Sequence, residues 1–178
     1  MKLSILICSL GKRAALLRSL LNDLNSQKTD EVEILHLVDN GKLTTGAKRN
    51  RLLGMASGDY ISFVDDDDLV SGDYVAKILT ALVGSPDCCS LQGELTYARK
   101  KTNNKFIFKH SLKYDHWYSD NGIYYRCPNH LNTVKRKIAL QVGFPELNVN
   151  EDRVYSNSLY SLLKTETEID GTIYFYRK

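Results

Sequence analysis

Residues Leu3 to Leu10 form an almost unbroken apolar run, the pattern of a short strand buried on both faces. Leu16, Leu17, Leu20, Leu21 and Leu24 then recur at helical spacing, with Arg13, Arg18, Asn22 and Asn25 on the opposite side. That stripe predicts an amphipathic helix ending near Gln27. A second apolar run, residues 32–38, predicts a strand stopped by the turn residues Asp39-Asn40-Gly41. Residues 45–57 have helical composition and meet a stop at Gly58, and residues 60–64 read as a third strand. Further on, the pattern predicts a helix over 74–83, a strand over 88–97 and a helix over 133–142, broken by Gly143-Phe144-Pro145. It ends with a helix over 151–163, whose inward set is Val154, Tyr155, Leu159 and Leu162, and a terminal strand over 173–176.

Strands alternating with helices predict an α/β fold, a mostly parallel central sheet flanked by helices in a single domain over 1–178. Such sheets bind ligands beyond the carboxyl ends of their strands. Two acidic features lie there: Asp39 after the second strand, and Asp65-Asp66-Asp67-Asp68 directly after the third. Strand geometry puts alternate side chains on one face, so Asp65 and Asp67 can point together. Carboxylates that close repel unless a cation joins them, and oxygen donors suit Mg²⁺ or Mn²⁺ held together with substrate phosphates.

Composition narrows the field less than pattern does. The 178 residues carry 24 Lys and Arg against 21 Asp and Glu, a net charge of +3 that demands neither a nucleic acid nor a membrane surface. No stretch has the roughly 20 apolar residues needed to span a bilayer. Cys8, Cys88, Cys89 and Cys127 lack the spacing of a zinc site or a disulfide framework, so free thiols and a cytoplasmic location are expected. His36 reads as buried in or beside the second strand. Arg99, Lys100, Lys101, Lys105 and Lys109 interleave with Tyr97, Phe106, Phe108, Tyr114 and Trp117 in a basic hairpin. Either it is a solvated hairpin with one half-buried face, or it meets a negatively charged acceptor.

In this order, these motifs resemble family 2 glycosyltransferases of the GT-A fold. The residues that carry the resemblance are Gly46-Ala47-Lys48-Arg49-Asn50, Ile61-Ser62-Phe63-Val64-Asp65-Asp66-Asp67-Asp68, Gly143-Phe144-Pro145-Glu146 and Glu151-Asp152. The resemblance implies transfer of a sugar from a nucleoside-diphosphate sugar, a UDP-sugar, to an acceptor hydroxyl, with inversion and with Mn²⁺ or Mg²⁺ as cofactor. It implies nucleotide-sugar contacts at Ser9, Asp39, Arg49, Asp65 and Asp66, metal ligands at Asp67 and Asp65 with His130 as an additional one, and Asp152 as general base. Residues 1–97 would form the nucleotide-binding half and 98–178 the acceptor half, the acceptor being a glycan, a small molecule or a nucleic acid. In so short a chain the acceptor site would either stand open or be completed by a second subunit of a homo-oligomer. One departure is clear: Cys8-Ser9-Leu10-Gly11 stands where many relatives have Pro-Thr-Tyr-Asn.

Two other classes share these residues. Asp66-Asp67-Asp68-Leu69-Val70 fits the Asp-x-Asp-x-Val pattern of haloacid-dehalogenase-type phosphatases, in which the first Asp is the nucleophile. That pattern normally follows the first strand, whereas here two strand–helix units precede it. A non-catalytic nucleotide-binding module on the same fold would keep the acidic run and misplace Asp152.

Overall fold

The computed structural model describes residues 3–97 and 105–177. Strand β1 (Leu3–Leu10), helix α1 (Ala14–Ser26), β2 (Val32–Asp39), α2 (Thr45–Met55) and β3 (Tyr60–Phe63) follow the predicted alternation. Both β2 and β3 pair in parallel with β1, along opposite edges of it. Because β1 is buried on both faces, its alternate residues feed two cores. Leu3, Ile5 and Ile7 pack with Leu17, Leu20 and Leu24 of α1, while Leu6 packs with Leu52 and Leu53 of α2. As the edge strand, β2 leaves His36 exposed rather than buried as expected.

Beyond β3 the chain builds β4 (Leu69–Val70), α3 (Tyr74–Ala81), β5 (Cys88–Cys89), β6 (Leu91–Thr96), β7 (Lys105–His110), β8 (Tyr118–Asp120) and β9 (Ile123–Arg126). Then come β10 (Val134–Lys135), α4 (Arg136–Val142), α5 (Glu151–Tyr160), β11 (Glu166–Thr167) and β12 (Thr172–Arg177). Two six-stranded sheets result. The first runs β11-β5-β10-β3-β1-β2, with β3, β1 and β2 forming a parallel half and β10 antiparallel to β3. The second runs β4-β12-β6-β7-β9-β8.

Several expected elements change in detail. The strand over 88–97 divides at Ser90, its first part entering one sheet and its second the other. Helix α4 begins only at Arg136, because Val134 bridges Ile61 on β3 and Cys88 on β5. Helix α5 stops at Tyr160 and buries Glu151, Tyr155, Ser156 and Leu159. That stripe leaves Val154 45% exposed, outside the inward set expected for it. The basic hairpin is β6 paired antiparallel with β7, from Thr96 opposite Lys105 to Leu91 opposite His110. Arg99, Lys100 and Lys101 lie outside the described residues. All four cysteines are free. No helix among the described residues is long and apolar enough to cross a membrane.

The motif residues Gly46 and Asn50 clamp the segment that leads into α5. A Cβ on Gly46 would lie 1.8 Å from the carbonyl oxygen of Pro145, so only glycine permits this approach. The Gly46 amide donates to the Leu147 carbonyl at 3.0 Å. Asn50 both donates to the Phe144 carbonyl and accepts from its amide, each at 2.8 Å. Two motifs nearly a hundred residues apart thus form one joint, which fixes where α5 starts.

Candidate active site

The chain moves from β1 to β2 on one side and then crosses to β3 on the other, so the topological switch point lies between β1 and β3. Open α/β sheets bind ligands outside the strand carboxyl ends at such a point. A cavity of about 260 Å³ opens there, lined by Cys8, Ser9 and Leu10 at the carboxyl end of β1, Asp65, Asp66 and Asp67 after β3, and Arg13, Thr45, Lys48, Arg49 and Glu151. A second cavity, of about 330 Å³, lies against the second sheet and includes Tyr124, Arg126, His130, Asp152 and Tyr176 in its wall. Asp65, Arg49 and Glu151 line both.

The acidic run is a turn, not a strand extension: β3 ends at Phe63, and the Asp68 amide closes onto the Asp65 carbonyl at 3.1 Å. The four carboxylates therefore fan out, which overturns the expectation of simple alternation. Asp65 accepts from Arg49 Nη2 at 3.0 Å and lies 3.5 Å from His130 Nε2. Burial would raise its pKa, but Arg49 first and then His130 outweigh burial and hold the carboxyl well below the usual range. Asp66 is buried and accepts from Ser9 Oγ at 2.6 Å and from Arg13 at 2.7 Å. Asp67 is partly exposed and pairs with the same Arg13 at 3.0 Å. Asp68 is sealed away from the cavity, accepting from Tyr174 Oη at 2.8 Å and from the Arg177 amide at 2.9 Å. An Asp66/Asp68 phosphatase pair is thus not assembled here.

Arg49 stands at the centre. It is 3% exposed, pairs with Asp65 and with Glu151 at 3.2 Å, and lies over the rings of Phe63 and Phe144 at 5.7 and 5.5 Å. Its helix brings Lys48 to the neighbouring cavity. Lys48 Nζ donates to the Ser9 carbonyl at 3.2 Å and to Asp39 at 3.0 Å. Asp39 does not itself line either cavity; its other oxygen accepts from the Leu43 amide at 2.8 Å, a bond that lowers its pKa to about 2.

Of the expected metal ligands, Asp65 and His130 meet, while Asp67 is held by Arg13. Among the described residues no three His, Cys, Asp or Glu side chains converge as a metal cluster. The two that meet still suit a shared divalent ion. His130 is buried with neither ring nitrogen hydrogen-bonded, and Mg²⁺ or Mn²⁺ commonly takes few protein ligands plus substrate phosphates.

Asp152 occupies the first turn of α5 and lines the larger cavity together with Asp65. Its Oδ1 accepts from the Arg153 amide at 2.8 Å. Sequence reasoning passed over Arg13, Lys48, Glu151 and Arg126. Lys48 and Glu151 belong to the Gly46–Asn50 and Glu151-Asp152 motifs, beside Arg49 and Asp152, which is a signal in the sequence; Arg13 and Arg126 carry none.

His110, another wall residue, is fully buried in a place that disfavours the imidazolium and lowers its pKa to about 3. Free histidine titrates near 6.5, so below that pH the unfolded chain binds the extra proton and the folded chain does not. The stability that His110 contributes is full above about 6.5 and is lost as pH falls toward about 3. His110→Gln is therefore expected to flatten the decline in melting temperature between pH 6.5 and pH 4; an unchanged decline would show that His110 does not drive it.

The Glycosyl transferase family 2 model matches residues 40–143, from the end of β2 to the Gly143 turn. The chain belongs to glycosyl transferase family 2. A comparison with curated proteins finds no match. Among solved structures, TarS of S. aureus is similar with a TM-score of 0.71 and 16% identity, over 100% of this chain and 37% of that one. TarS 1-349 in complex with UDP-GlcNAc gives 0.69 and 15%, over 100% and 59%. The mannosyltransferase PcManGT from Pyrobaculum calidifontis, in complex with GDP-Man and Mn²⁺, gives 0.63 and 12%, over 98% and 56%. At these identities the likeness is one of fold, and it agrees with the expected GT-A architecture. The chain spans less than two thirds of each of these relatives. Membership of family 2, together with the sealed position of Asp68, removes the phosphatase alternative.

Proposed function

We propose that this family 2 chain transfers a glycosyl group from a nucleoside-diphosphate sugar, a UDP-sugar, to an acceptor hydroxyl with inversion. The observation that carries this reading is that Asp65 opens onto both cavities while Asp152 lines the larger one. The nucleotide then lies in the cavity at the switch point, and the sugar passes Asp65 toward Asp152. Apart from Glu151, the nucleotide cavity is lined entirely from residues 1–97, which supports a donor half and an acceptor half.

In the reaction, Asp152 accepts the proton of the acceptor hydroxyl as its oxygen bonds to the anomeric carbon. The bond from that carbon to the diphosphate breaks, and the departing oxygen keeps the electron pair. Attack from the face opposite the leaving group inverts the centre. Arg13 and Lys48 line the side on which negative charge develops, and cations placed beforehand stabilise it. In this reading the uracil reaches past Lys48, beyond the cavity wall, to Asp39 at the end of β2, whose lone pairs not taken by the Leu43 amide and Lys48 accept from N3–H. A divalent cation held by Asp65 and His130, with Asp67 once Arg13 releases it, would neutralise charge on the diphosphate. The free thiols fit a cytoplasmic setting.

Donor choice and cation dependence are tested together by calorimetry with UDP, UDP-GlcNAc and GDP-Man, each in Mn²⁺ and in chelator. UDP is expected to bind at least about tenfold more tightly in Mn²⁺, a difference of about 1.4 kcal/mol. Equal affinity in chelator would remove the cation from the proposal, and preference for GDP-Man would remove the uracil contact at Asp39.

A further inference from the structure

Arg126 lines the larger cavity, and the transfer reaction gives its charge no task. It sits at the end of β9, opposite His110 in the β7–β9 register, and shares the cavity face with Tyr124 by strand alternation. Its guanidinium lies 4.3 Å from the centre of the Trp117 ring. Trp117 Nε1 donates to Ser156 Oγ at 3.4 Å, one helical turn beyond Asp152 on α5. Arg126, Trp117 and the helix that carries Asp152 are therefore fixed to one another.

Among the described residues, the Arg126 side chain makes no ion pair and no hydrogen bond to a protein group. The other arginines around the site are paired: Arg13 with Asp66 and Asp67, Arg49 with Asp65 and Glu151. Arg153 also lies over Trp117, at 6.0 Å, and has no carboxylate partner among the described residues. A guanidinium held over an aromatic ring, with no protein acceptor, keeps its fork of donors free, and that fork matches the two oxygens of a carboxylate or phosphate. The lysines of β7 do not supply this charge. Lys105 pairs with Glu94 at 2.8 Å, and Lys109 lines a separate cavity, while Phe108 and His110 face the site.

We propose that Arg126 selects an acceptor that carries an oxyanion, a carboxylate or a phosphate group, near the hydroxyl that is glycosylated. The assignment rests on the transfer reading above. Its placement favours the acceptor over the donor diphosphate, because Arg126 lines the cavity of Asp152 and not the one at the switch point.

Trp117 is the only tryptophan of the chain, so its emission reports directly on Arg126. The purified protein, saturated with UDP, is titrated with glucuronate, with inorganic phosphate and with methyl glucoside as the neutral control. Saturable change is expected with glucuronate and phosphate, and a response at least about tenfold weaker with methyl glucoside. Arg126→Gln should weaken glucuronate binding about 10–100-fold and Arg126→Lys less, with UDP affinity unchanged. Circular-dichroism melts confirm that both variants fold. Equal responses to glucuronate and methyl glucoside, or an undiminished response in Arg126→Gln, would overturn the proposal. A parallel loss of UDP affinity would overturn it differently, by assigning Arg126 to the donor diphosphate. Failure of the wild-type protein to bind UDP at all would remove the transfer reading and this assignment with it, whereas anion indifference with UDP binding intact removes this assignment alone.

Discussion

Asp152→Asn is expected to lower glycosyl transfer by at least about 10²-fold while leaving donor affinity nearly unchanged, since loss of a general base removes about 10²–10⁴ in rate. The carboxylate belongs to the first turn of α5, where a helix N-terminus favours negative charge. Its position is set well away from itself, by Gly46 against Pro145 and by the paired amide contacts of Asn50 with Phe144. Asparagine preserves size and can still accept from the Arg153 amide, so helix start and fold should survive. It cannot take the proton of an attacking hydroxyl. The informative pair of measurements is calorimetric UDP affinity and initial rate at saturating acceptor. A fall in rate with constant affinity fits the general base; a fall in both indicates that the helix start has moved. A variant with full transfer activity would leave Asp152 without a chemical role, and the fold would then serve binding alone or another reaction.

How much of this site the sequence displays depends on how local each cause is. The parallel β3-β1-β2 half of the first sheet was legible because buried parallel strands read as apolar runs and the connecting helix α1 shows its leucine stripe. Of the second sheet, β6, its hairpin with β7 and the terminal strand β12 were legible as separate strands, but their assembly into one sheet was not. Its strand β8 is only three residues long and exposed, and β12 joins β6 in parallel from about eighty positions away. The residues brought to the cavities were visible as motifs, but the division of labour among them was not. Asp65, Asp66, Asp67 and Asp68 are alike in sequence, and only the turn after Phe63 sends one to Arg49, two to Arg13 and one to Tyr174. Arg126 sits among aromatic residues with no pattern of its own; its significance comes from Trp117 beneath it.

Arg49 shows most clearly what a motif residue does beyond touching a ligand. The resemblance assigns it to the nucleotide, yet it is 3% exposed and joins Asp65, at the carboxyl end of β3, to Glu151, at the start of α5. Arg49→Met keeps much of the aliphatic bulk against Phe63 and Phe144 but leaves two carboxylates facing a site with no shared cation. Breaking such a pair is expected to destabilise the fold by about 3 kcal/mol, the low end for buried pairs, because Asp65 retains 30% of its side-chain surface in solvent. The sign of the pH dependence distinguishes this cause from simple loss of packing. In the wild type, Asp65 titrates below its unfolded value, so its contribution is present at and above the usual carboxylate range and is lost only far below it. Without Arg49, only His130 is left to oppose the burial that raises the Asp65 pKa, and the folded variant gains relative stability as pH falls and the carboxyl takes a proton. The deficit measured by urea unfolding should therefore be larger at pH 7 than at pH 4. Adding Glu151→Gln should recover part of the deficit at pH 7 by removing one of the two stranded charges. A deficit under about 0.5 kcal/mol, the size of an ordinary surface substitution, or one that does not change with pH, would mean that Arg49 does not hold β3 and α5 together, and that the two cavities meet at Asp65 for some other reason.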